Sequence, residues 1–269
     1  MELLVNALPR RARMYVQGVR VDNIDASTAL ETVKAYTRAE TPRVCRTIVF
    51  TNVHTIHLAR SNPALRGCVN GADLVLPDGS GLKIAGRLYG RPILENLNGT
   101  DFTPRVLAEA ESAGWKVYLL GGRSDVIVAA SERLRELFPA LRIVGVHQGH
   151  FTPDEERTIL EEINMLKPDI LLVGMGSPIQ EQWITSNAPR LRVKASFAVG
   201  GFFDFLSGEK RRAPEWIRRI GAEWLFRFSQ DPVTKWQRVF IEIPVFLVRL
   251  LAGRLVRADS ANYGVEGGV

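Results

Sequence analysis

The chain has 269 residues, 46% hydrophobic and 24% charged, which predicts one or two domains with an ample core and excludes disordered and fibrous classes. Lys and Arg exceed Asp and Glu by 35 to 29, a net +6. Cys45 and Cys68 make neither a metal spacing nor a disulfide framework, as suits a reducing compartment. No uncharged apolar run of about 18 residues argues for a spanning helix, and MELLVNALPRRARM lacks the order of a secretory signal, so a cytoplasmic, soluble or peripherally bound protein is expected.

In chain order, a small strand pair around Met14–Val21 precedes a helix over about Ser27–Arg38. Strands are then predicted at Val44–Phe50, Asp73–Leu76, Lys116–Leu120, Arg142–Val146, Ile170–Val173 and Ser196–Val199. These short, continuous apolar runs read as strands buried on both faces of a parallel sheet. Helical patterns lie between them, at roughly Val53–Val69, Gly81–Leu88, Phe102–Ala113, Val126–Phe138, Pro153–Leu166 and Ile179–Asn187. Thr152-Pro153-Asp154-Glu155 is the best-marked start, with Thr152 to cap, Pro153 in the first turn and Glu155 to close a capping box. The alternation predicts an α/β fold with a Rossmann-like, doubly wound, mainly parallel sheet.

After Gly208 the pattern changes. Strands stop, and Trp216, Trp224, Phe226, Trp236, Phe240 and Phe246 punctuate two or three basic helices. Residues 208–257 carry eleven Lys or Arg and five Asp or Glu, so the whole excess of positive charge sits there. Elsewhere only Arg10, Arg11 and Arg13 form a small basic cluster. The stretch Val239–Val256 is apolar but interrupted by Glu242, Arg249 and Arg254, with Pro244 as a candidate kink. A basic helix with a strong apolar face lies in a membrane interface more readily than it spans one, and it packs equally well on a protein surface. The expected division is an α/β core over 1–207, a helical appendage over 208–257 and a disordered tail over 258–269. The basic appendage suggests an anionic partner, whether a phosphate-bearing substrate, an anionic membrane or a nucleic acid, and reads equally well as an ordinary solvated basic face.

Ligands of a doubly wound sheet bind beyond the carboxyl ends of its strands. Those ends carry Thr51-Asn52-Val53-His54, Pro77-Asp78-Gly79, Gly121-Gly122-Arg123-Ser124, Gly174-Met175-Gly176-Ser177-Pro178-Ile179-Gln180-Glu181 and Gly200-Gly201-Phe202-Phe203-Asp204. Glycine lets backbone approach a ligand, and the following helix offers unpaired N–H groups to phosphate. Neither a G-x-G-x-x-G nor a Walker spacing is present. Asp78 follows an apolar strand and a proline, which places it in the cleft as a candidate general base with a raised pKa, although Pro-Asp-Gly is also ordinary turn chemistry. His147 and His150 lack a third metal ligand, and His54 stands alone, so structural roles suit all three. Gln180 and Glu181 suit sugar hydroxyls or a helix cap. Asp204 suits ligand binding or a turn.

Together these segments resemble the WecG/TagA/CpsF glycosyltransferases, over about Val16 to Arg238. The carrying residues are Asn52 with Ala59-Arg60, Ala72-Asp73-Leu74-Val75-Leu76-Pro77-Asp78-Gly79, Asn98-Gly99-Thr100-Asp101 and Leu119-Leu120-Gly121-Gly122. Farther on come Pro168-Asp169-Ile170-Leu171-Leu172-Val173-Gly174-Met175-Gly176, Pro178 with Gln180-Glu181, Val199-Gly200-Gly201, Arg212-Ala213-Pro214, Glu223-Trp224-Leu225 and Arg227. Phe50 stands where the family often has Thr, Ile179 where it has Lys, and Thr234 and Gln237 where two arginines are expected. Lys235 and Arg238 lie one residue later.

The resemblance implies inverting transfer of a hexose or N-acetylhexosamine from a UDP-sugar to a polyprenyl-diphosphate-linked sugar in cell-envelope or exopolysaccharide synthesis, at the cytoplasmic face of the inner membrane. Asp78 would be the base. Thr51, Asn52, His54, Asn98, Gly99, Asp101, Gly121, Gly122, Gly176, Gln180, Arg212, Arg227 and Arg238 would bind substrate, with appendage arginines facing the leaving diphosphate. No Asp-x-Asp motif stands beside the sheet, so no metal and no cofactor are expected. The expected partners are donor, acceptor and an anionic membrane surface; a homo-oligomer is compatible and nucleic acid is not expected. The rival readings are a nucleotide-dependent oxidoreductase on the same sheet pattern and a nucleic-acid module using the basic tail.

Overall fold

The computed structural model describes residues 12–38 and 45–262, with backbone alone for Arg219, Thr234 and everything from residue 254. Arg10, Arg11 and residues 263–269 lie outside the described residues. A hairpin of β1 (Arg13–Val16) and β2 (Val19–Asp22) is followed by α1 (Ala26–Arg38), β3 (Arg46–Thr51), α2 (Val53–Ser61), α3 (Pro63–Gly71), β4 (Leu74–Pro77), α4 (Ser80–Leu88) and α5 (Gly99–Ala113). Next come β5 (Lys116–Gly121), α6 (Ser124–Leu137), β6 (Arg142–His147), α7 (Pro153–Leu166), β7 (Ile170–Gly174), α8 (Ile179–Asn187), β8 (Ala195–Ala198) and α9 (Phe202–Leu206).

The last six strands form one parallel sheet in the order β4-β3-β8-β7-β5-β6. Period two divides its side chains between two cores. Val49, Val75, Leu120, Leu171 and Val173 face α2, α3, α4, α7 and α8. Ile48, Phe50, Leu74, Leu76, Leu119 and Leu172 face α1, α5, α6 and α9. The expected doubly wound α/β sheet is therefore observed, with helices on both faces.

The predicted single helix Val53–Val69 is two helices. Pro63 has no N–H to continue the ladder, and the Asn62 side chain instead accepts from Leu65 N at 3.0 Å to start α3. The capping box forms as predicted, with Glu155 accepting from Thr152 N at 2.6 Å and Thr152 Oγ1 from Glu155 N at 3.3 Å. The buried Arg20 guanidinium pairs with Asp22 at 2.7 Å and donates to the Ala72 carbonyl at 2.6 Å, while Asp22 accepts from Val75 N at 2.8 Å. This network pins the hairpin to β4, the strand that ends at Asp78.

Beyond Gly208 the described residues are helical: α10 (Glu215–Arg219), α11 (Glu223–Gln230), α12 (Pro232–Gln237), a π-helical turn (Arg238–Glu242) and α13 (Ile243–Asn262). The change of helical pitch sits immediately before Pro244, which cannot donate to the ladder. Ala258–Asn262 continue α13, so the segment read as a disordered tail is helical in its first five residues. The appendage packs on the body. Phe246 and Leu250 are fully buried in the core beside α2 and α4, and a side chain at Gly81 would strike Val53 at 2.3 Å, so glycine there permits the close approach. No helix among the described residues is long and apolar enough to cross a membrane.

Candidate active site

The loops after β3, β4, β5, β6, β7 and β8 open on one edge of the sheet, and the appendage closes over them to leave a cleft of about 640 Å³. Its floor is backbone. Gly121 has φ +147° and a side chain there would meet the Gly174 carbonyl at 2.3 Å, so only glycine lets β5 and β7 end so close together. Gly122 N donates to Gly174 O at 2.9 Å and Gly149 N to Gly122 O at 2.8 Å. Helices α2, α5, α6 and α8 start around this rim, and their unpaired N–H groups make its potential positive.

Asp78 stands at the end of β4 in this cleft. Its N–H donates to Thr51 O at 2.8 Å, and its Oδ2 accepts from Asn52 Nδ2 at 3.2 Å. Asn52 is itself fixed as the cap of α2, its Oδ1 accepting from Thr55 N at 3.0 Å. Among the described residues no ion pair within 4.0 Å holds Asp78. Burial raises its pKa above the ordinary carboxylate range; Arg227, the Asn52 hydrogen bond and Arg238 pull the other way, and Glu223 adds to the rise.

The facing wall comes from α11, α12 and the π-helical turn, which bring Arg227, Lys235 and Arg238 to the cleft. Arg227 donates to Glu223 at 2.7 Å and lies over the Phe205 ring, 5.0 Å from its centroid. Burial lowers the pKa of Lys235, and Arg238, Lys210 and Arg227 lower it further. Burial also lowers that of Arg238. Half-buried cations crowded together, with neither Lys235 nor Arg238 ion-paired among the described residues, make a site short of negative charge. No group of three His, Cys, Asp or Glu among the described residues is placed to hold a metal ion.

Of the residues singled out in the sequence, Asp78, Asn52, His54, Gly99, Gly122, Gly176, Gln180, Arg227 and Arg238 line the cleft. Five do not. Thr51 is wholly buried, its hydroxyl without a hydrogen-bond partner among the described residues. Asn98 caps α5 by accepting from Asp101 N at 2.9 Å. Asp101 is paired with Arg212 and, at 3.6 Å, with Arg218; burial opposes ionisation of Asp101, but the bonds from Arg212 and Asn98 hold its carboxyl below the usual range. Asp101 and Arg212 thus tie α5 to the appendage instead of reaching into the cleft, and Gly121 packs against β7. Gln180 lines the cleft but is 3% exposed, and both ends of its amide are engaged: Oε1 accepts from Gly200 N and Nε2 donates to Glu181, each at 2.9 Å. Its oxygen and one of its two amide N–H groups thus hold the loop.

Asp204 lines the cleft paired with Lys210. His147 bonds the Gln148 carbonyl at 2.8 Å and serves structure, whereas His150, read as structural, reaches the cleft rim with Arg123. The strand-end rule marks His150, because Gly149-His150 follow β6 on the same edge. Lys210 and Arg211 also line the cleft, and only the density of basic residues after Gly208 pointed to them.

A protein-family model described as "Glycosyl transferase WecG/TagA/CpsF family" matches residues 14–260. The chain is 28% identical over 241 residues to an N-acetylglucosaminyldiphosphoundecaprenol N-acetyl-beta-D-mannosaminyltransferase of Staphylococcus aureus strain MW2, covering 89% of this chain and 92% of that protein. The same identity and coverage hold for the protein of that name from strain NCTC 8325 / PS 47. The match takes in the Asp78 strand end, the glycine floor and the cationic wall alike, and on it the chain belongs to the WecG/TagA/CpsF family of glycosyltransferases.

Proposed function

We propose that this protein transfers a hexose or N-acetylhexosamine, of the glucose or N-acetylmannosamine type, from a UDP-sugar to a sugar carried on polyprenyl diphosphate, with inversion at the anomeric carbon. The names of the Staphylococcus relatives support such an acceptor. The observation that carries the mechanism is Asp78, a carboxylate without an ion-pair partner among the described residues, in a cleft whose opposite wall is cationic. The acceptor hydroxyl attacks the anomeric carbon, the bond from that carbon to the UDP oxygen breaks, and the hydroxyl proton passes to Asp78. Its raised pKa suits that task, since the base must hold a proton briefly yet be free near neutral pH. Arg227, Lys235 and Arg238 offset the charge gathering on the leaving diphosphate, so the proposed reaction draws on no divalent cation.

The appendage also supports work at an anionic membrane, proposed as the cytoplasmic face of the inner membrane, in cell-envelope or exopolysaccharide synthesis. Trp224 and Leu225 are exposed on the helix that supplies Arg227, and Trp236 and Phe240 flank Lys235 and Arg238. Exposed aromatic side chains beside basic ones suit a lipid headgroup boundary. They stand on the same helical segments as the cleft's Arg227, Lys235 and Arg238, so a lipid-linked acceptor could present its sugar without leaving the bilayer. The test is a panel of UDP-sugars with a short-chain polyprenyl-diphosphate-linked N-acetylglucosamine. Transfer from one donor, with inverted product, is expected; a panel on which no donor is consumed overturns the proposal.

A further inference from the structure

We propose that His54 and Glu242 form a latch that sets the position of Arg238 against Asp78, making both of them positioning residues for transfer. The inference rests on Asp78 as the base, and it concerns how the appendage is registered on the site. His54 Nδ1 lies 2.8 Å and 3.0 Å from the two Glu242 carboxylate oxygens, across 188 residues of sequence. Glu242 is only 7% exposed, so its charge depends on this partner.

The latch touches both halves of the site. On the body side, His54 stands two residues after Asn52, whose side chain donates to Asp78, in the first turn of the same helix. On the appendage side, Glu242 closes the π-helical turn that Arg238 opens. π-Helical turns re-aim side chains that a regular helix would point elsewhere, and they recur at functional sites. Arg238 has no hydrogen-bond or ion-pair partner among the described residues. Its place beside Asp78 is therefore set by the backbone that Glu242 anchors. Other ties of the appendage among the described residues, such as Arg212 and Arg218 to Asp101, Glu209 to Arg123, Gly221 to Ser80 and Phe246 to Gln17, lie on other segments.

Breaking the latch has a direction. Glu242 already attracts Arg238. Burial works to raise the Glu242 pKa, but the bond and charge of His54, with Arg238 and His57, hold it below the usual range. Without His54, Arg238 becomes the main cation left to the buried carboxylate and is drawn toward it, away from Asp78. The groups that act most strongly on Asp78 are Arg227 and Glu223 from α11, Asn52 from α2 and Arg238 from the π-helical turn; His54 and Glu242 are not among these. The route by which the latch reaches Asp78 is therefore the placement of Arg238.

The test uses the full chain in the transfer assay, with kcat followed against pH, for His54→Ala, Glu242→Gln, Arg238→Gln and the double variant of His54→Ala with Arg238→Gln. His54→Ala is expected to lower kcat about tenfold or more with donor KM little changed, and to move the acid limb of the profile to higher pH, because Arg238 no longer holds Asp78 down. Arg238→Gln should move the limb the same way, and adding His54→Ala to it should move it no further, as expected for two residues acting through one. Glu242→Gln keeps an oxygen acceptor for His54 and should retain most of kcat. Hydrogen–deuterium exchange over residues 232–242 should rise in His54→Ala and supplies a readout independent of activity. An unchanged acid limb and unchanged exchange in His54→Ala overturn the latch, as does an additive shift in the double variant. Undiminished transfer by Asp78→Asn would instead remove the base, and the exchange result would still decide the latch.

Discussion

The floor of the cleft and the wall above it solve different problems. At the floor, Gly121, Gly149 and Gly174 bring strand ends within backbone contact and leave no side chain to move. The wall carries Arg227, Lys235 and Arg238 on short helices whose neighbouring residues Trp224, Leu225, Trp236 and Phe240 face solvent. Asp78 lies where the two meet. In the proposed mechanism a rigid floor would position the reacting carbon, while a separately anchored wall would bring charge needed only as the diphosphate departs. Chemistry placed at that junction depends on both parts, and a lesion in either can be told from one in the other.

The largest separation is expected from Asp78→Asn. It removes the base and keeps the shape, so transfer should fall about 10²–10⁴-fold while UDP still binds, as read by calorimetry. The same variant should gain stability. The folded pKa of Asp78 is raised, so its favourable contribution is present at low pH and is lost as pH rises through that raised value. Asp78→Asn should therefore melt at a higher temperature than the parent at neutral pH, with the gap closing in acid. On the wall, Arg227→Gln should cost about 10²-fold in kcat without lowering the melting temperature comparably; equal losses of both would assign Arg227 to folding.

Anchoring gives a third handle. Phe246→Ala empties a site between the body and α13 and should cost about 3–5 kcal/mol, measured by urea unfolding. A loss below 1 kcal/mol would mean that the appendage is not seated as described. The smallest effects distinguish the cleft lining from its surroundings. Thr51→Val replaces a buried hydroxyl that has no partner among the described residues, and should change stability by less than about 1 kcal/mol and kcat hardly at all. Chelation by EDTA should leave the rate unchanged; loss restored by a divalent ion would overturn the metal-independent reaction.

Much of the floor was legible in the sequence. Six short apolar runs read as strands buried on both faces; all six form, although β6, at the edge of the sheet, is only partly buried. Their ends name Asn52, Asp78, Gly122, Gly176 and Gly200, since the cleft of such a sheet lies where its strands finish. Side-chain direction was less legible. Thr51 and Asn52 are adjacent, yet one turns into the protein and the other into the cleft, and proximity to a strand end does not distinguish them. Asn98 and Gln180 carry the right functional groups, but neighbouring backbone N–H groups claim their oxygens. Contacts across the chain were not legible: pairing Asp101 with Arg212, or His54 with Glu242, depends on where the appendage lands. Pro63 marks the split between α2 and α3, but the apolar pattern runs on through it and hides the break.

The most direct measurement is the pH dependence of kcat for the parent protein beside Asp78→Asn. A base buried in the cleft should give the parent an acid limb centred above the ordinary carboxylate range, and the residual rate of the variant should lack that limb. A limb that persists in Asp78→Asn, with transfer undiminished, would contradict the account by placing the proton acceptor elsewhere.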